Sequence, residues 1–551
     1  MRPNVSALMA DNHAQVLIIG GGINGLATFR DLSLQGVKVA LVERNDFASG
    51  ASAASSHMIH GGIRYLENGE FRLVRESVTE RNGLLKIAPH YVKPLQTTIP
   101  IFTTFSGILA APMRFLTHKQ SKPTQRGALL IKLGLSIYDS FSSGGGTVPP
   151  HRFLGRKKSL QELPALDPTV KYTATYFDAS VHEPERLALD VLLDGLGEGS
   201  HARAANYVEA VGVSANRVVL KDRETGTSFE FSADLVINAS GPWTDLTNQA
   251  LGEASQFMGG TKGSHIVLDH PELLAACDGR EMFFENADGR IVLIYPLKGR
   301  VLVGTSDLEA DINEPAVCTE EEIDYFFGLI GEVFPNIRVD RSQIVYKYSG
   351  VRPLPRHEDT APGFVSRDYR IVEGVLPGTE TPLLSLVGGK WTTFRALAEH
   401  LAKEALAALG LDRRISTKNL AIGGAKDFPK NDKARDVWLA EHAALVGQDR
   451  ALLLLERYGT RAAEVIEFLS AIGDSPFKST DKLSTGELRY MVEKEMAVHL
   501  VDILMRRTSL AFTGEATDSV IAEVATEMQQ LLGWSEPRTQ AEIAKAQRSL
   551  S

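Results

Sequence analysis

The chain has 551 residues, 43% hydrophobic and 23% charged, an ordinary globular balance that excludes disorder and fibre and suffices for roughly two to four domains. Its 59 Lys and Arg stand against 68 Asp and Glu, a formal net charge of −9, without the basic excess that nucleic-acid binding calls for. Cys277 and Cys318 are too few for a disulfide framework, show no metal-ligand spacing, and fit a reducing compartment.

Residues 1–14 form a short polar extension containing Asp11, with neither the basic start nor the apolar stretch of a signal peptide, so cytoplasmic residence is expected. A strand is predicted over 16–19. It is followed by Gly20-Gly21-Gly22-Ile23-Asn24-Gly25, an amphipathic helix to about residue 35, and a second strand over 37–42 that ends at Glu43. Strand, glycine turn, helix, strand and acid, in that order, are the context a dinucleotide fingerprint requires. Gly20 permits the tight turn, Gly22 lets the backbone approach a pyrophosphate, and Gly25 lets the helix pack on the strand with its N-terminus facing the phosphates. Glu43 is placed for ribose hydroxyls, and its charge disfavours the 2′-phosphate of NADP.

The next loop, 48–56, is made of small residues and serines, whose backbone and hydroxyls suit a phosphate and a ring system. It leads into His57-Met58-Ile59-His60-Gly61-Gly62-Ile63-Arg64-Tyr65-Leu66, a titratable group and a cation beside room for a ligand. The uncharged window 94–113 is long enough to cross a bilayer, but Pro100, Gly107, Pro112 and several hydroxyls make it a poor helix in hydrocarbon. With Lys119, Lys122, Arg126 and Lys132 after it, the window reads either as a membrane-surface anchor or as a buried strand and loop.

Further apolar runs close on Ser240-Gly241-Pro242-Trp243 and on Thr305-Ser306-Asp307. Another, over 383–387, precedes Gly388-Gly389-Lys390-Trp391-Thr392-Thr393 and a helix to about residue 409. Two glycine turns this far apart point to a large two-part nucleotide cofactor gripped by distant parts of one lobe. After residue 416 the composition turns to Ala, Leu, Glu and Arg. Leu488, Met491, Val492, Met496, Leu500, Ile503 and Leu504 recur at helical spacing, predicting a helical C-terminal domain with these side chains on a core face. Arg506 and Arg507 read as helix-end charges with no further role.

Several of these segments, taken in order, resemble the FAD-dependent glycerol-3-phosphate dehydrogenases: Gly20 to Gly25, Ser55-Ser56-x-x-x-His60-Gly61-Gly62-x-Arg64-Tyr65-Leu66, Lys262-Gly263-Ser264-His265, Tyr348-Ser349-Gly350-Val351-Arg352-Pro353-Leu354 and Gly388-Gly389-Lys390-x-Thr392-Thr393. The likeness covers about 16–406, and 486–507 resembles the family's helical cap. It departs at His57, where the family often has Lys, at Ala51, often Thr, and at His182-Glu183-Pro184-Glu185-Arg186, where Asp-Ala-Arg is usual. The stretch 96–126 matches poorly.

The resemblance implies an α/β fold, α+β overall. A Rossmann-type FAD-binding domain (about 15–90, 170–260 and 345–415) is interleaved with a mixed-sheet substrate domain inside a 15–415 lobe, before a helical domain over 416–551. It implies FAD, held by Gly20, Gly22, Asn24, Gly25, Glu43, Ser52, Ser55, Ser56, Val208, Gly241, Gly388, Gly389 and Thr392. The substrate pocket it implies contains Arg64, Tyr65, Arg352 and Lys390. The expected reaction is oxidation of sn-glycerol 3-phosphate to dihydroxyacetone phosphate, with electrons passed to membrane quinone by a homodimer peripheral to the cytoplasmic face of the inner membrane.

Such an oxidation needs a base for the hydroxyl proton and cations for the phosphate and for the reduced ring. His60 leads as the base, with His265 its competitor. Arg64 and Arg352 are expected to fork the phosphate, and Lys390 to balance charge on the reduced ring. The rival readings are an oxygen-using oxidase, a dehydrogenase of another polyol phosphate, and a flavin-binding module without turnover.

Overall fold

The computed structural model describes residues 2–62, 71–102, 131–132, 134–136, 138–139, 148–286, 291–356 and 368–550. The first sheet is built around the apolar strand His13–Ile19. Its order is Arg370–Val375, Pro382–Val387, Ser228–Asn238, His13–Ile19, Val39–Val42, Ala202–Ala205. The first strand is an antiparallel edge, and the rest run parallel, with Leu17 opposite both Val236 and Ala40. Alternate residues go to opposite faces. Val16 and Ile18 pack with Leu26 and Phe29 of helix Ile23–Leu34 and with Leu397 and Leu401 of helix Phe394–Ala408. Leu17 and Ile19 pack with Val5, Leu8 and Leu220 on the other side. Covering both faces is what a parallel sheet requires, and it explains why these strands read as unbroken apolar runs.

The second sheet is mixed and ten-stranded. Strand Met258–Leu268 pairs antiparallel with Ile344–Pro355 along its length, so that His265 faces Tyr348 and Thr261 faces Arg352, and it also pairs with Arg300–Gly304. One side buries Ile266, Leu268, Val301 and Val303 under helices Pro271–Cys277 and Glu320–Val333. The two sheets alternate along the chain, as the sequence leads one to expect. The window 94–113 begins inside strand Val92–Ile101, which pairs along its length with Tyr172–Val181. Its remainder, with Lys119, Lys122 and Arg126, lies outside the described residues. No described helix is long and apolar enough to cross a membrane.

The C-terminal helices have a core of their own, in which Leu488, Met491, Leu500, Ile503 and Leu504 are buried. Two expectations are corrected here. The apolar stripe is not one helix: helix Thr485–Glu493 stops, Met496 takes a left-handed φ of 57°, and the chain restarts as Leu500–Asp502 followed by a π-type turn in which Thr508 N donates to Ile503 O (3.0 Å). Apolar periodicity follows side chains and is blind to such a break. Nor are Arg506 and Arg507 mere helix-end charges. Both are buried against Asp46 of the nucleotide lobe, Arg506 Nε at 2.6 Å from Oδ2, and Arg507 across both oxygens at 2.7 and 2.9 Å.

A second tie joins the two parts at His499, whose Nδ1 is 2.7 Å from Glu542 Oε1 and whose Nε2 is 3.0 Å from Glu224 Oε1. Burial opposes its charge, but these carboxylates outweigh burial and raise its pKa to about 8. The stabilisation is therefore fully present below the unfolded value near 6.5 and is lost as pH rises through about 8, about 2 kcal/mol in all. Denaturation midpoints should fall between pH 6 and 9 in the wild type, and His499→Gln should make that fall shallower. An equal slope in both proteins contradicts this assignment.

Candidate active site

The turn after strand His13–Ile19 passes so close to strand Ser228–Asn238 that only glycine fits. Gly20 has φ +117°, and a Cβ there would lie 2.6 Å from Ala239 O. Gly22 caps helix Ile23–Leu34 without a side-chain cap of its own, and the amide of Ile23 instead donates to Ser52 Oγ (2.9 Å). The loop of small residues thereby brings its hydroxyl to the positive end of that helix. Glu43 accepts from Gly21 N (2.7 Å) and Asn45 N (2.8 Å), and burial raises its carboxyl pKa against these two donors.

The second glycine turn meets the first. Gly389, φ +114°, leaves room for Asn24: a Cβ there would be 2.5 Å from Asn24 Nδ2. Trp391 Nε1 donates to Ser52 O (3.0 Å), and Lys390 Nζ to Ser77 Oγ (2.8 Å). Between these turns runs a cavity of about 790 Å³, whose wall includes Gly20, Gly22, Asn24, Glu43, Ser52, Val208, Gly241, Gly389 and Lys390. Asn24 Oδ1 is buried on that wall without a partner among the described residues. Backbone cradle, a helix start facing the cavity, an acid at the end of the second strand and an orphaned amide oxygen together fit a dinucleotide cofactor.

The other expected residues are distributed as follows. Gly25, Ser55, Ser56, His265, Arg352, Gly388 and Thr392 are not among the described wall residues. Ser55 and Ser56 instead join the two sheets: Tyr348 hydroxyl donates to Ser55 O (2.8 Å), and Ser56 Oγ lies 2.8 Å from His265 Nε2. The His265 ring stacks on Tyr348 at 4.9 Å. Burial, then Arg352 and His57, keep its pKa well below the ordinary histidine value. Arg352 donates to Asp307 Oδ1 (2.5 Å), Thr305 Oγ1 (3.0 Å) and Ser306 O (2.8 Å). His60 is half-buried at the end of strand Met58–Ile59 and is not among the described wall residues. The next residue, Gly61, donates to Asp178 Oδ1 (2.9 Å), which also takes Arg81 and Tyr138. Arg64 and Tyr65 lie outside the described residues.

Sequence reasoning passed over one end of the cavity. Its wall there includes His57, Glu183, Glu185, Lys298, Arg506 and Phe512, which brings the C-terminal domain into the site. Glu183 pairs with Lys298 and accepts from Ser509 Oγ (2.9 Å). Burial lowers the pKa of His57 and His182 to about 4 and raises that of Glu185 to about 8. The signal was in plain view: 182–186 and His57 are two of the places where the chain departs from the family pattern.

The FAD dependent oxidoreductase family matches residues 15–403, and the C-terminal domain of alpha-glycerophosphate oxidase matches 415–539. A glycerol-3-phosphate dehydrogenase of Synechocystis sp. is 33% identical over 96% of this chain and 95% of its own length. A D-erythritol 1-phosphate dehydrogenase of Brucella abortus is 31% identical over 90% and 93%. Among solved structures, the glycerol-3-phosphate dehydrogenase of Bacillus halodurans complexed with FAD shares the fold at a TM-score of 0.74, across 99% of this chain and 96% of that one, at 23% identity. Identity along the whole length, two family matches in register and a cavity that fits the dinucleotide place this chain in the FAD-dependent glycerol-3-phosphate dehydrogenase family.

Proposed function

We propose that the chain oxidises sn-glycerol 3-phosphate to dihydroxyacetone phosphate and passes the electrons to a membrane quinone. The observation that carries this reading is the join between the two sheets, where Ser55 and Ser56, at the end of the nucleotide loop, touch Tyr348 and His265 on the strand pair that also carries Arg352. When bound, FAD supplies the two-electron acceptor for the hydride. His265 takes the hydroxyl proton. Its ring is fixed by Ser56 at Nε2, and Nδ1, which has no partner among the described residues, holds the proton. Arg352, with Arg64, takes the phosphate, and Lys390 balances negative charge near the reduced ring. His60, the first choice from sequence, is set aside in favour of His265 because His265 lies at the join.

Arg352→Lys is expected to raise KM for glycerol 3-phosphate by about tenfold or more, because an ammonium cannot copy a planar fork, while the flavin spectrum stays normal. An unchanged KM contradicts the clamp. A second reading, oxidation of a longer polyol phosphate, is favoured by the 31% identity to the D-erythritol 1-phosphate enzyme, close to the 33% of the first relative. Steady-state rates with a panel of polyol phosphates decide between the two. The quinone acceptor, the homodimer and the peripheral position on the cytoplasmic face of the inner membrane come from the family likeness. Turnover that needs a quinone analogue and does not consume oxygen is expected, whereas oxygen uptake without quinone makes the chain an oxidase.

A further inference from the structure

We infer that Glu322 is a positioning residue for the substrate site, its carboxylate fastening together the strand of His265, the strand of Arg352 and the turn 305–307. The inference rests on the reading of Arg352 as the phosphate clamp. Glu322 is the third residue of helix Glu320–Val333, and its Oε2 closes a capping box by accepting from Thr319 N (2.9 Å). A capping box needs one oxygen. The other, Oε1, faces away from the helix and accepts from Ser264 Oγ (2.8 Å) and Ser306 Oγ (2.5 Å), while Lys262 Nζ donates to Oε2 (2.9 Å). Four donors therefore meet a carboxylate that is only 3% exposed, the condition under which a buried charge is tolerated.

The two serines of this set adjoin groups of the proposed site. Ser264 precedes His265, and its hydroxyl is 2.7 Å from that of Ser349 on the cavity wall. Ser306 Oγ also accepts from Ser264 N (2.9 Å), and its carbonyl accepts from Arg352 (2.8 Å). Thr305 and Asp307, on either side of Ser306, also accept from Arg352. Lys262 and Ser264, which precede His265 in its motif and to which the proposed chemistry gives no part, converge on this carboxylate. Its burial alone would raise the pKa, but Ser306, Thr319, Lys262 and Ser264 lower it, so it is ionised at neutral pH. Removing the charge frees Ser306, and with it the seat of the Arg352 guanidinium.

In the holoenzyme, Glu322→Gln is expected to raise KM for glycerol 3-phosphate about tenfold with kcat changed less than about threefold, the cost of a misplaced charge-assisted contact. Flavin content and visible spectrum should match the wild type. Ser306→Ala removes the same link without touching the helix cap and should shift KM in the same direction, which decides the matter if the glutamine variant folds poorly. Adding Glu322→Gln to Arg352→Lys should raise KM little further, since both act on one contact. Unchanged KM in both single variants, additive effects in the double variant, or a loss of kcat and flavin at constant KM would each overturn the inference. Arg352→Lys with wild-type KM would overturn the reading of the site itself, whereas a raised KM there with none in Glu322→Gln or Ser306→Ala would overturn only the role of Glu322.

Discussion

Asp46→Asn is expected to lower the free energy of unfolding by about 3–5 kcal/mol, the usual cost of removing one partner from a buried ion pair. Asp46 is fully buried, takes Arg506 and Arg507 from the C-terminal domain, and accepts from Asn206 Nδ2 (2.9 Å). Burial would raise the pKa of its carboxyl, but the two guanidiniums hold it well below the ordinary range. With an amide in its place, Arg506 keeps Asp502, while Arg507 keeps the Glu495 carbonyl and, at 3.9 Å, the Glu495 carboxylate. The loop that carries Asp46 also carries Glu43 and Ser49 on the cavity wall. The variant should therefore purify with less than one flavin per chain. Urea midpoints and the ratio of flavin to protein absorbance check both parts. A stability within 1 kcal/mol of wild type and full flavin occupancy would show that the C-terminal domain does not brace the cofactor loop.

His265→Asn is expected to slow anaerobic flavin reduction by glycerol 3-phosphate ~10²-fold or more, with binding of the cofactor intact, if this imidazole is the base. His60→Asn is the control and should lose less than about fivefold on the same scale. The pH dependence is specific. Because burial, Arg352 and His57 hold the His265 pKa well below the ordinary value, the ring is already neutral at pH 6, and kcat at saturating substrate should show no acid limb between pH 6 and 7 from this group. An acid limb near 6.5 that disappears in His60→Asn, or a larger loss in His60→Asn than in His265→Asn, would return the role to His60.

The glycine fingerprint was legible because its parts are local. Gly20, Gly22 and Glu43 lie within one strand-helix-strand unit, and the spacing alone brings them to one wall of the cavity. The second turn at Gly388 and Gly389 was legible for the same reason, although that it would press against Asn24 was not. What remained hidden depends on contacts between residues far apart in the chain. Arg506 and Arg507 read as helix-end charges because their partner, Asp46, lies 460 and 461 residues away. The break at Met496 escaped because the apolar side chains on both sides of it still reach one core. Arg352 was singled out as a guanidinium, but its seat on Asp307, Thr305 and Ser306 follows from strand pairing that no local pattern encodes.

The most direct test is an anaerobic titration of the purified yellow protein with sn-glycerol 3-phosphate, followed at the flavin band. The proposed function predicts that the band bleaches with one dihydroxyacetone phosphate formed per flavin reduced. A band that stays unchanged with saturating glycerol 3-phosphate, yet bleaches with dithionite, would contradict it.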